Sequence, residues 1–158
     1  MDPRPRLPDS AVVLRLIPQV PSHYPPDAPK PLPAAFDLSD DDKDEAMRRQ
    51  LPAGASVFDR SATTVAQARA TRNSTAPLVP FGIGVGSVHL VGAQFDNRLA
   101  VVSDPLPLDI PGGAGHAVIT GLLRQPGEAR TTFKSMKLLL VDQCFRVGDD
   151  GNRVVVAA

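Results

Sequence analysis

At 158 residues the chain has the size of one domain, and its 17 basic and 17 acidic residues cancel to a formal net charge of zero. A neutral chain offers no global field to a polyanion, so nucleic-acid binding, which draws on clustered Lys and Arg, is not expected. With 4% aromatic residues, no Trp and a single Cys, the core must be built from Val, Leu, Ile and Ala, without an internal disulfide.

The first apolar run, residues 11–17, is too short for most signal-peptide cores, and no run approaches the 18 or so apolar residues of a membrane span. The expectation is a cytoplasmic protein in a reducing compartment, with no membrane contact. Residues 11–17 are rich in β-branched side chains and stop at Pro18, which predicts a strand. Pro then recurs at 18, 21, 25, 26, 29, 31 and 33. Each ring fixes φ and biases the preceding residue toward extended geometry, so this stretch reads as a polyproline-like arm. The expected division is a strand plus extended arm over residues 1–36 and a globular α+β domain over 37–158. Val20, His23, Tyr24 and Leu32 are the arm's candidate binding residues. They either anchor a protein partner or fold back onto the domain's own surface.

Ser39 opens SDDDKDEAMRRQ with the signature of a capped helix: an N-cap Ser, three Asp where the dipole favours anions, and Arg48 and Arg49 at the far end. The acidic run lacks the alternating oxygens, central Gly and distal Glu of a calcium loop, so no metal is expected there. Residues 56–59 read as a short strand, and Thr63 or Thr64 caps a second helix. From Pro80 the pattern has period two, which predicts a strand over 81–95, a turn at Asp96-Asn97 and a return strand over 98–103. Gly82, Gly84 and Gly86 then share one bare face that admits a close neighbour. GIGVG does not read as a phosphate loop, because strand-like sequence continues after it and no Lys follows. Residues 104–115 form a loop rich in Pro and Gly, and 116–123 fit either strand or helix. Residues 128–143 place Phe133, Met136, Leu140 and Cys144 on one helical stripe. Asp150-Gly151 sets the turn of a C-terminal hairpin. The predicted fold is α+β, a mostly antiparallel sheet with about three helices.

His116 is the one candidate catalytic residue. It follows Gly112, Gly113 and Gly115, whose backbone N–H groups are candidates for holding an anion, and its ordinary pKa lies near neutrality. The structural alternative is that the glycines make a turn and His116 is a satisfied core residue. His89 shares the predicted strand face with Ile83 and Val91 and reads as half-buried, and Cys144 reads as core. Arg124, Arg130, Lys134 and Lys137 form the only sizeable basic cluster; it is the basis of a weaker alternative, a nucleic-acid-associated protein, and a solvated helix face explains it equally well. No motif completes a catalytic constellation and none calls for a cofactor. The leading expectation is therefore a non-enzymatic protein-binding or accessory protein acting through its arm. The rival is a small hydrolase or transferase built on His116. An enzyme should set His116 in a cleft with a second titratable group in hydrogen-bond reach.

Overall fold

The apolar run near the N-terminus becomes an inner strand. The computed structural model describes residues 2–154, and β1 (Val12–Pro18) lies between β2 (Gly54–Asp59) and β3 (Leu78–Gly84). With β4 (Ala100–Ser103), β5 (His116–Thr120) and β6 (Phe145–Arg146), they form one antiparallel sheet in the order β4-β5-β2-β1-β3-β6. The helices are α1 (Asp40–Arg49), α2 (Val65–Ala70), α3 (Val85–Gly92) and α4 (Arg130–Gln143), with 3-10 turns at Pro33–Phe36 and Gly113–Gly115. This is the α+β class expected from the sequence.

Alternation along β1 sorts the core into two layers. Val13 and Ile17 face the larger layer, which also holds Phe36, Val85, Val88, Met136 and Leu140. Leu14 and Leu16 face a smaller layer with Phe58, Val65 and Ala68. The helix starts obey the sequence signals. Ser39 and Asp42 close a reciprocal capping box on α1, and Thr64 and Gln67 do the same on α2. The stripe read on α4 is largely inward, with Met136 and Leu140 fully buried.

The 81–103 hairpin is not formed. The strand predicted over 81–95 ends at Gly84, and residues 85–92 are helical. The ladder explains the switch. Gly84 is paired with Val12, the first residue of β1, so no partner strand extends beyond it. The chain instead turns into α3, where the Val85 and Gly86 N–H groups donate to the Ala11 and Asp9 carbonyls at 2.9 and 3.0 Å. Val85, Val88 and Val91, three apart, are buried on one helical face. His89 therefore sits on a helix rather than a strand face, with Nδ1 2.6 Å from Asp9 Oδ1. Asp96 and Asn97 do take positive φ, but they connect α3 to β4. That strand pairs with β5 at the far side of the sheet. Residues 116–123, ambiguous in sequence, give β5. The final turn closes as a bridge between Val147 and Arg153. The rest of its predicted return strand, residues 155–157, lies outside the described residues.

The glycines at 82, 84 and 86 do not share one function, because the strand ends among them. A Cβ at Gly84 would meet nothing nearer than Ser87 Oγ at 3.5 Å. At Gly121, with φ +92°, it would lie 2.0 Å from the Arg98 carbonyl oxygen. Gly121→Ala should therefore lower unfolding free energy by on the order of 2 kcal/mol or more, from backbone strain plus the clash. Gly84→Ala should change it by less than about 1 kcal/mol. Urea denaturation of both variants checks the contrast, and equal losses would contradict it.

Candidate active site

Because β2 and β5 pair antiparallel with Phe58 opposite His116 and Ser56 opposite Val118, the His116 and Ser56 side chains lie diagonally on the same sheet face. Ser56 Oγ is 3.1 Å from His116 Nε2. The third member arrives from the other side. β4 ends at Ser103, and Asp104 next to it donates its N–H to the His116 carbonyl at 2.9 Å. The His116 Nδ1 atom is 2.7 Å from the Asp104 carbonyl oxygen and 3.7 Å from Asp104 Oδ2. A carbonyl oxygen only accepts, so Nδ1 carries the proton. The lone pair of the neutral ring is thereby left on Nε2, aimed at the Ser56 hydroxyl. Phe58 holds the ring edge-on, with centroids 5.2 Å apart.

These side chains form the floor of a cavity of about 420 Å³, within the range of small-ligand sites. Its walls are α1, the end of α2 and the loop after β4, contributing Asp42, Glu45, Arg49, Arg72 and Leu106, with Arg4 from the N-terminal segment. Asp104 is the hub of the wall charges: its Oδ1 lies 2.8 Å from Arg49 Nη2 and 3.5 Å from Arg4 Nη1. Arg4 is fixed in turn by a two-pronged contact with Asp2 and by the Pro52 carbonyl. Burial by itself would raise the Asp104 pKa, but Arg49, Arg4 and His116 outweigh it and hold the carboxyl below its ordinary value. Burial also dominates at His116 and lowers its pKa. The Asp104 carbonyl and carboxylate oppose this incompletely, and Arg72 adds to the lowering. The imidazole is thus neutral at pH 7.

The remaining sequence candidates fall elsewhere. Gly113 and Gly115 donate their N–H groups to the Ile110 and Gly112 carbonyls, and Gly112 accepts from Thr63 Oγ1 at 2.6 Å. The glycine loop therefore starts β5 and aims His116, and none of the three glycines lines the cavity. Tyr24 is buried in its own domain, edge-on to Phe81 at 5.1 Å, with its hydroxyl 3.4 Å from Arg146 Nη1. Val20 and His23 are half-buried, and His23 is tied to Ser22 Oγ at 2.8 Å. Leu32 is exposed. Burial pushes the Cys144 thiol up to about 12, which suits a packed residue and not a nucleophile. Among the described residues no group of three or more His, Cys, Asp or Glu side chains is placed to hold a metal ion. No described helix is long and apolar enough to cross a membrane.

Sequence reading missed Ser56, Asp104 and Arg49. Ser56 and Asp104 reach His116 only through strand pairing, Arg49 reaches Asp104 only through the packing of α1, and no local spacing announces them. Neither the models of known protein families, nor the curated proteins, nor the solved structures match this chain. Its function must be read from the pocket itself.

Lowered protonation of His116 has a consequence for stability. Below its ordinary pKa of 6.5 the unfolded chain binds a proton there that the folded chain resists. The contribution is complete above pH 6.5 and declines as pH falls from that value through the lower folded pKa. Chemical denaturation across this window should show unfolding free energy decreasing with acid. In His116→Gln this part of the slope should vanish. An unchanged slope would mean that His116 is not held neutral.

Proposed function

We propose that the protein is a small hydrolase or acyltransferase, with Ser56 as nucleophile and His116 as its general base. The observation that carries this reading is the directed chain from Asp104 C=O through Nδ1–H and Nε2 to Ser56 Oγ, at 2.7 and 3.1 Å. Such a chain gives a serine hydroxyl an acceptor for its proton, the requirement common to activated serine nucleophiles. The Ser56 oxygen attacks the acyl carbon of an ester or amide while its proton passes to Nε2. The imidazolium so formed faces the Asp104 carboxylate at 3.7 Å. It returns the proton to the departing oxygen or nitrogen. Water then attacks the acyl-serine with the same assistance, releasing the acid and restoring Ser56. An alcohol or amine entering in place of water makes the reaction a transfer.

Two further features support the assignment. His116 is neutral near pH 7, the state a base requires. Arg72 lines the cavity, and no described carboxylate forms an ion pair with it, so its charge is available to an anionic substrate group or a developing oxyanion. The lone thiol, Cys144, fits action in a reducing cytoplasm.

A fluorophosphonate probe followed by intact-mass analysis tests the assignment. One adduct is expected, mapping to Ser56 and absent in Ser56→Ala. It should form about a hundredfold more slowly or worse in His116→Gln, the usual scale for losing a general base. Melting curves on both variants separate chemistry from folding. A folded wild-type protein that takes no label, or labelling indifferent to residue 116, refutes the proposal.

A further inference from the structure

A second concave surface lies apart from the His116 pocket, on the side where the proline-rich arm meets α4. Two features that are separate in sequence converge there. Leu32 and Pro33 from the arm and Phe133 from α4 give an apolar lining, while Arg124, Arg130 and Lys134 surround it with positive charge, in a groove of about 570 Å³. The arm is fastened in place and does not project. Leu32 N–H donates to the His23 carbonyl at 2.7 Å, and Lys30 Nζ pairs with Asp142 of α4 at 2.6 Å. Lys137 pairs with Asp37 and lies over the Phe133 ring, 4.5 Å from its centroid.

The described residues do not fully balance the charges of the groove. Among the described residues Arg124, Arg130 and Lys134 take part in no ion pair, and Glu128, which feels Arg124, is held by Arg98. The placement also opposes local physics. Arg130 is the first residue of α4, a 14-residue helix with no side-chain cap and no acid in its first turn. The dipole disfavours cations at that end and favours anions. Arg130 stands in that first turn, and with Arg124 and Lys134 it gives the groove a cationic rim complementary to an anion supplied from outside.

We propose that this groove docks an acidic segment of a partner protein, with carboxylates meeting Arg124, Arg130 and Lys134 and an apolar side chain seated against Leu32 and Pro33. A protein segment fits better than a nucleic acid. Three unpaired cations are few against the run of phosphate contacts that polyanion binding draws on, and the one aromatic ring available for stacking is covered by Lys137. The pre-ordered arm lowers the ordering cost on the protein's side of the contact. The inference is independent of the chemistry assigned to Ser56.

Fluorescence anisotropy with a labelled peptide of alternating Glu and Leu tests the groove. A Lys/Leu peptide and a labelled single-stranded oligonucleotide serve as comparisons. The Glu/Leu peptide should bind saturably and weaken as salt is raised. The double variant Arg130→Glu, Lys134→Glu should weaken it at least about tenfold, corresponding to one factor of ten in the equilibrium constant. Leu32→Ser should weaken it while preserving the salt dependence. The gentler pair Arg130→Ala, Lys134→Ala serves if charge reversal disturbs folding. Absence of saturable binding by wild-type protein, tighter binding of the oligonucleotide, or indifference to the substitutions in folded protein would overturn the proposal.

Discussion

Arg15 carries a positive charge into the interior of the sheet, on β1, and the geometry around it organises both the fold and the pocket. β1 and β2 are in register only at Val13 opposite Asp59 and Leu14 opposite Phe58. Next to this short ladder the guanidinium reaches across, donating to the Ser56 carbonyl at 2.7 Å and twice to the Ala35 carbonyl, at 3.1 and 2.9 Å. One side chain thereby ties β1, β2 and the 3-10 turn that ends the proline-rich arm. The charge has no carboxylate partner among the described residues, and burial lowers its pKa to about 10. A buried, unpaired cation costs several kcal/mol in general. Here the carbonyl bonds and the Phe36 ring, 5.9 Å from the guanidinium carbon, offset part of that cost. Removing the side chain takes this donor from the Ser56 and Ala35 carbonyls, so Arg15 acts as a structural tie beside the short β1–β2 ladder.

Ser56 is fixed from both sides as a result. Its carbonyl is held by Arg15, while its hydroxyl faces His116 across the β2–β5 pair. His116 is set by a different principle, the meeting of β4 and β5 at Asp104. The backbone carbonyl of Asp104 chooses the tautomer, and its carboxylate is available to the imidazolium that proton transfer would create. Arg49 and Arg4 anchor that carboxylate and keep it ionised. The pocket thus draws its precision from three strands and its electrostatics from α1 and the N-terminal segment.

Several parts of this arrangement were legible in the sequence for physical reasons. Caps at Ser39 and Thr64 act locally, and the stripe through Met136 and Leu140 reports one buried helix face. The residue His116 stood out because a glycine loop precedes it. Residues 85–92 were misread because Val85, Val88 and Val91 fit a helix while the flanking glycines fit a period of two. Pairing decided between them, since β1 offers no partner beyond Val12. Ser56 and His116 are 60 residues apart, and a serine in a short strand carries no signal of its neighbour. The arm's fate was equally tertiary. Tyr24 finds Phe81 in its own sheet, and only Leu32 of the four arm candidates is exposed.

The proposed chemistry depends on the protonation state of one ring. Two-bond nitrogen–proton correlation spectra of imidazole-labelled protein, with His116 assigned by substitution, read that state directly at pH 7. The expected result is a neutral ring with its proton on Nδ1 and a bare Nε2 directed at Ser56. A proton on Nε2, or an imidazolium at that pH, would leave Ser56 without the base proposed for it and overturn the assignment.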